Sequence, residues 1–152
     1  MRPQKTGVAL PDMDVQVNVG DFEPEHEALL DAAVRKALGT DQRGAQLSLT
    51  LVDDTEIARL NREYLGKDRP TDVIAFSLGS DDEPIGDVYV GAEQARRQAQ
   101  ALGVPLREEL ARLAIHGTLH VLGYDHPDEE DRSASAMYVL QERLLAEVLR
   151  DA

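Results

Sequence analysis

Cysteine is absent from this chain of 152 residues. Its absence excludes disulfide bonds, thiolate-bound zinc, iron–sulfur clusters and a thiol nucleophile. Long apolar runs are missing too, because no stretch reaches the roughly 18 apolar residues that a membrane-spanning helix requires. The N-terminal residues also lack the apolar centre of a secretory signal. We therefore expect a cytoplasmic protein without a membrane partner.

Positive charge is scarce, since 16 Lys and Arg residues face 29 Asp and Glu residues and leave a net charge of −13. The average field of such a surface repels phosphates. A nucleic-acid substrate would therefore need a local basic patch, a metal ion or a docking partner. Aromatic residues are also few, with four tyrosines and two phenylalanines. Their scatter along the chain predicts no base-stacking platform.

The pattern of apolar residues predicts one domain over residues 14–152, preceded by a flexible tail over residues 1–13. Strands are predicted around residues 15–19, 47–51, 71–78 and 85–90, the third of them buried. Helices are predicted from Pro24 to Gly39, from the caps at 53–55 to about 64, and over 92–102, 105–122 and about 127–149. Interspersed strands and helices predict an α+β (mixed α/β) fold, with a sheet of about four strands covered by about five helices.

Three of the four histidines, His116, His120 and His126, lie in the segment HGTLHVLGYDH. His116 and His120 are four residues apart on a predicted helix, so their side chains share one face about 6 Å apart. Two ring nitrogens can then reach one metal ion at roughly 2.0–2.1 Å each. Gly123 can adopt a positive φ and turn the chain back, which would bring His126 in as a third ligand. Three ligands with an open position are typical of catalytic zinc.

The alternative for these histidines is ordinary packing with hydrogen-bond partners. Their neighbours are apolar, and several buried imidazoles without a shared partner would be costly, which favours a metal. Nickel, cobalt and copper suit three imidazoles as well as zinc does. The spacing also matches the long zinc-protease motif, in which glutamate follows the first histidine as general base. Gly117 stands there and cannot transfer a proton, which argues against peptide hydrolysis by that mechanism.

The segment 116–126 resembles, position by position, the signature His-Gly-x-Leu-His-x-x-Gly-Tyr-Asp-His of the YbeY family of bacterial metal-dependent endoribonucleases. The segment LNREYLGKDRPTDVIAF (60–76) and the GDVYV strand resemble the family as well. The resemblance implies a zinc ion on His116, His120 and His126 at the end of a helix, as in metzincin-like folds. It also implies single-strand-specific RNA cleavage in 3′-end maturation of small-subunit ribosomal RNA and in ribosome quality control. The implied partners are ribosomal RNA and the ribosome or its proteins, and no DNA is expected.

The second segment departs from the family at two positions. Leu65 stands where the family has an arginine associated with RNA cleavage, and Ser77 stands where it has proline. A leucine cannot donate hydrogen bonds to a phosphate, so Lys67 and Arg69 are the candidates to supply positive charge from the adjacent loop.

Asp125 is the candidate catalytic residue, because a carboxylate beside His126 can accept a proton or orient a ligand histidine. The alternative is that it favours the start of the last helix. Two other functions remain open for the chain. One is a non-catalytic, metal-binding ribosome assembly factor, and the other is a metallohydrolase of another substrate, such as a peptide or a small phosphoester.

Overall fold

The computed structural model describes residues 13–22, 24–39, 44–80, 83–124 and 136–152. The strands in these ranges are β1 (Asp14–Asn18), β2 (Gln46–Val52), β3 (Val73–Ser77) and β4 (Ile85–Gly91). The helices are α1 (Glu27–Leu38), α2 (Asp54–Leu65), α3 (Ala92–Leu102), α4 (Leu106–Val121) and α5 (Ala136–Asp151). None of the described helices combines the length and apolar character that a bilayer crossing requires.

The four strands form one sheet in the order β1-β2-β4-β3. Strands β1, β2 and β4 run parallel, and β3 lies at the edge, antiparallel to β4. In this register Leu49 lies opposite both Val17 and Val88, and Ala75 lies opposite Val88. Apolar residues of successive strands therefore line up across one face of the sheet.

The larger core lies on that face, where α4 is the central helix. Helix α4 contacts α1, α3 and α5 as well as strands β3 and β4. The largest fully buried apolar side chains here are Leu30, Val34, Leu49, Val88, Val90, Leu110, Ile115 and Leu119. Burial of each contributes roughly 1.5–3 kcal/mol relative to exposure to water. This packing fixes the position of α4 against the sheet.

The opposite face of the sheet carries a smaller core under α2. Ile57 and Leu60 of α2 pack there on Ile74 of β3. Away from α2 this face is polar, and the Ser48 hydroxyl donates a hydrogen bond of 2.7 Å to the Asp87 carboxylate.

Helix α2 begins as the sequence predicts, since the Asp53 carboxylate caps it by accepting a 2.8 Å hydrogen bond from the Glu56 backbone N–H.

The predicted α+β architecture is confirmed, with corrections at two elements. Residues Pro24–His26 form a 3-10 turn, so α1 begins at Glu27 rather than at Pro24. Strand β3 was expected to be buried, but it is an edge strand in which only Ile74 is buried, because one of its sides has no neighbouring strand. The predicted tail over residues 1–13, apart from Met13, and the predicted start of the last helix at residue 127 lie outside the described residues.

Candidate functional site

Helix α4 holds the candidate metal site at its C-terminal end. The helix begins after Pro105, whose φ of −62° is set by its ring. Glu108 and Glu109 in the first turn suit the positive end of the helix dipole. At the other end Gly123 adopts a φ of 96°, as the sequence predicts. His116 and His120 lie in the last two turns of the helix, just before this C-terminal end.

The two histidines bring their Nε2 atoms to within 3.1 Å of each other. Their ring centroids are 4.6 Å apart with an interplanar angle of 78°, and both residues are half-buried. Two nitrogens on one tetrahedral zinc ion, each at about 2.0–2.1 Å, would lie roughly 3.3 Å apart. The pair therefore fits two positions of such an ion. In the described part of the chain, no third histidine or carboxylate completes a metal-binding group.

Two of the predicted site residues, His126 and Asp125, lie outside the described residues. Their roles as third metal ligand and as proton acceptor therefore stay predictions. The fourth histidine, His26, lies in the 3-10 turn before α1, with its Nε2 atom 4.0 Å from a Glu25 carboxylate oxygen.

A polar network lies behind His116, and sequence reasoning missed it. The Nδ1 atom of His116 is 2.6 Å from Oε1 of Gln141, a residue of α5 that is only 5% exposed. The Gln141 amide nitrogen donates a 3.0 Å hydrogen bond to Glu142. Both oxygens of that carboxylate accept hydrogen bonds from Arg112 of α4, at 3.0 and 3.2 Å. Gln141 was detectable as the one polar position in the apolar stripe formed by Met137, Leu144, Leu145 and Val148.

The charges of this network stay ionised. Burial acts to lower the pKa of the Arg112 guanidinium, but hydrogen bonds to Glu142 and Glu109 outweigh it and raise that pKa above its ordinary range. Burial likewise acts to raise the pKa of Glu142, and hydrogen bonds from Arg112 and Gln141 bring it below its ordinary value. Arg112 and Glu142 are therefore a permanent ion pair at neutral pH that joins α4 to α5.

Gly117 has a packing role between the two histidines. A Cβ atom at this position would lie 2.5 Å from Cγ1 of Val88 and 3.1 Å from Cγ2 of Val73. Gly86 of β4 is also in close contact with the helix, since a Cβ atom added there would lie 2.6 Å from Cγ1 of Val121. The two glycines let α4 lie close against β3 and β4. A side chain at position 117 would point into the sheet, so this position cannot supply the general base of zinc proteases.

The loop after α2 carries the candidate RNA-contacting residues Lys67 and Arg69. Asn61 is 2% exposed, and its side-chain amide donates a 2.9 Å hydrogen bond to the Arg69 carbonyl. The Asn61 carbonyl accepts a hydrogen bond of 3.2 Å from the Lys67 backbone N–H. Lys67 and Arg69 are exposed and form no ion pair with another described residue. The loop therefore has a fixed backbone and presents two cationic side chains to solvent.

Three aromatic rings meet at the end of α2, although the aromatic residues are scattered along the sequence. The ring of Tyr64 packs edge-to-face on Phe76 at 5.2 Å, and Phe76 packs on Tyr89 at 6.0 Å. Tyr64 is 58% exposed. Burial and the nearby Asp87 carboxylate raise the pKa of Tyr89. The rings meet because α2, β3 and β4, which are separated in sequence, are adjacent in the fold, and whether they bind bases stays a prediction.

Strand β3 connects this aromatic row, formed by Tyr64, Phe76 and Tyr89, with the histidine end of α4. Phe76 contacts Tyr64 on one side of the strand, whereas the next residue, Ser77, donates a 3.2 Å hydrogen bond to the carbonyl of Val121. Proline could not donate this bond, so Ser77 ties the end of β3 to the last turn of α4. Leu65, at the end of α2, is 55% exposed.

Comparison with known proteins decides the family. The sequence model of the endoribonuclease YbeY family matches residues 11–149. The chain belongs to this family. The endoribonuclease YbeY of Desulfitobacterium hafniense is 45% identical over 130 residues, which cover 74% of this chain and 83% of that protein. The endoribonuclease YbeY of Bacillus licheniformis is 41% identical over 133 residues, covering 80% and 82% of the two chains.

A solved structure agrees with this assignment. The solution structure of TM1509 from Thermotoga maritima superposes with a TM-score of 0.62 and is 30% identical in sequence. The match covers 91% of this chain and 90% of that one. Membership in the YbeY family makes the protein a nuclease of the hydrolase class.

Proposed function

We propose that this protein is a zinc-dependent endoribonuclease that cleaves single-stranded ribosomal RNA during 3′-end maturation of the small subunit and in ribosome quality control. The observation that carries the proposal is the convergence of the His116 and His120 Nε2 atoms at 3.1 Å in a member of the YbeY family. His126 is the proposed third ligand. The proposed location is the cytoplasm, with the ribosome or its proteins as partner.

The metal is proposed because the donor set suits it. Neutral imidazoles are good ligands for zinc, although another divalent transition metal would suit the same nitrogens. When bound, the ion supplies Lewis-acid character at a phosphoryl oxygen and lowers the pKa of water in the site. Asp125, next to His126 in sequence, is the proposed proton acceptor.

The loop with Lys67 and Arg69 supports binding of the RNA backbone. The net charge of −13 excludes attraction by the whole surface, so two cations without ion-pair partners in the described chain form a local phosphate contact. Beside them, the exposed ring of Tyr64 offers a face on which a base can stack. Bases are free to stack on side chains only when they are unpaired, which supports a preference for single strands.

The test is cleavage of a labelled single-stranded fragment from the 3′ end of small-subunit ribosomal RNA, with a duplex of the same sequence for comparison. We expect the zinc-loaded protein to cut the single strand in preference to the duplex. His120→Ala should lose both zinc and cleavage, whereas His26→Ala, the same change outside the site, should lose neither. Equal cleavage by the His120→Ala and wild-type proteins would contradict the proposal.

Leu65 favours a second candidate function, a ribosome assembly factor that binds metal but has lost RNA cleavage. An exposed leucine in place of an arginine removes a phosphate contact without disturbing the core. Leu65→Arg separates the two functions. If the wild-type protein binds zinc and cosediments with ribosomes but cleaves RNA only after this substitution, the assembly factor is the correct function. Cleavage by the wild type itself would show that the leucine is tolerated.

A further inference from the structure

Gln141 is a buried polar side chain on the apolar inner face of α5, directly against His116. We propose that Gln141 is a positioning residue that fixes the proton of His116 on Nδ1, so that the Nε2 lone pair is directed toward His120 and the metal. This inference rests on the proposed metal site. It assigns a role to a residue outside the histidine motif, 25 positions along the chain from His116.

The orientation of the Gln141 amide follows from its other neighbour. Its Nε2 atom is 3.0 Å from a carboxylate oxygen of Glu142. An ionised carboxylate only accepts hydrogen bonds, so the amide nitrogen must face Glu142. The same carboxylate is held by two hydrogen bonds from Arg112, which keep it ionised and in place. The amide oxygen is therefore the atom that faces the ring of His116.

The tautomer of His116 follows from this orientation of the Gln141 amide. An amide oxygen has no proton to donate, so an Nδ1 atom at 2.6 Å from it must carry the proton. A neutral imidazole has one N–H group, so Nε2 then carries a lone pair rather than a proton. That lone pair lies on the side of His120, whose own Nε2 is 3.1 Å away. In metal sites, such an outer hydrogen bond orients the ring and makes the ligating nitrogen more basic.

The first experiment reads the tautomer directly in metal-free protein. Nitrogen NMR of ¹⁵N-histidine-labelled protein at about pH 8 distinguishes a neutral imidazole with its proton on Nδ1 from one with its proton on Nε2. The His116 signals are assigned by their loss in His116→Ala. We expect the proton on Nδ1 in the wild type. A proton on Nε2 would overturn the inference, whatever the protein does to RNA.

The second experiment measures zinc affinity by competition with a chelator. Gln141→Leu keeps the approximate volume but removes the acceptor, and we expect zinc binding to weaken about 10- to 100-fold. Gln141→Glu keeps the acceptor toward His116 when its other oxygen carries a proton and donates to the Glu142 carboxylate, as the amide nitrogen does in the wild type, and this protonated form should recover most of the affinity. Gln98→Leu is the matched control. Gln98 donates a 2.7 Å hydrogen bond to Glu109, and no hydrogen bond joins it to either histidine in the described chain. This variant should bind zinc like the wild type.

The outcomes separate this inference from the proposed function. Unchanged zinc affinity in Gln141→Leu would overturn the positioning role, even in an active nuclease. A wild-type protein that binds no zinc would refute the proposed metal function, and the tautomer of His116 would still decide the role of Gln141. Thermal unfolding of each variant identifies any that fails to fold.

Discussion

The histidine end of α4 and the loop after α2 are proposed to serve one reaction, yet they are built in opposite ways. The histidines lie between a close helix–sheet contact at Gly117 and a buried polar network through Gln141. Lys67 and Arg69 are exposed, and the buried amide of Asn61 holds the backbone of their loop. The positions of the two histidines are therefore coupled to the stability of the core, whereas the exposed side chains of the loop can change without affecting the fold. Leu65, which is 55% exposed, is likewise a position that can change without disturbing the packing around the histidines.

The largest effect is expected from Gly117→Ala, which forces α4 away from the sheet. A methyl group at 2.5 Å from a valine carbon of β4 is too close to be accommodated without backbone movement. We expect the free energy of unfolding to fall by about 3 kcal/mol, measured by urea denaturation, and zinc affinity to fall with it. Gly103→Ala is the control, since alanine is strained at the positive φ of this position but its Cβ would have no atom within 4 Å. It should cost about 1 kcal/mol and leave zinc binding intact.

Asn61→Leu should disturb the loop and spare the histidines. The substitution leaves the Arg69 carbonyl without its donor, at a cost of about 1–2 kcal/mol in the free energy of unfolding. Affinity for single-stranded RNA should fall while zinc affinity stays unchanged. Asn18→Leu is the matched control, because its amide makes only an exposed 3.4 Å hydrogen bond with Thr50. Loss of zinc binding in Asn61→Leu would contradict the separation of the two regions.

Removal of both loop cations should weaken RNA binding without changing stability. For the double variant Lys67→Ala/Arg69→Ala we expect about tenfold lower affinity for single-stranded RNA. The slope of log affinity against log salt should decrease by about 0.7 for each phosphate that the variant no longer neutralises. Arg143→Ala/Arg150→Ala removes the same charge from exposed positions of α5 and should leave RNA binding close to wild type. Equal weakening in the two double variants would show that net charge alone, rather than the loop, governs binding.

The smallest effect is expected in the pH dependence of stability. Burial acts to raise the pKa of Glu142, but hydrogen bonds from Arg112 and Gln141 outweigh it and lower that pKa in the folded protein. Its contribution is therefore present above the ordinary glutamate pKa of about 4.3 and is lost as the pH falls through the lower folded value. In Glu142→Gln, stability should fall less steeply between about pH 5 and pH 3. We expect a difference of only tenths of a kcal/mol, since this ion pair is partly exposed. Identical profiles of stability against pH for Glu142→Gln and the wild type would contradict this prediction.

Local patterns in the sequence predicted the elements and the approach of His116 to His120 well. Helix α3 has the predicted bounds, and it ends at Gly103, which adopts a left-handed conformation. The spacing of four residues brought His116 and His120 together, as a helix requires. The function of His126 as a third ligand stays a prediction. These features depend on residues close in sequence, which is why they could be read from it.

Features that depend on long-range packing could not be read in the same way. The antiparallel edge position of β3 depends on strand order, which the apolar pattern of residues 71–78 does not contain. The aromatic row needs three elements to meet at Phe76. Gln141 becomes meaningful only when α5 packs beside His116. In the sequence, a polar residue within an apolar helical stripe is the sole indication of such a partner.

Gly117 also bears on how enzyme classes with this histidine spacing are related in evolution. A single substitution would place the zinc-protease glutamate after His116. Its side chain would meet Val88 and Val73 rather than a substrate, so the helix and sheet would have to change together. Peptidase activity is therefore not one mutational step away from this scaffold. The close packing that places the two histidines thus excludes the side chain on which the zinc-protease mechanism depends.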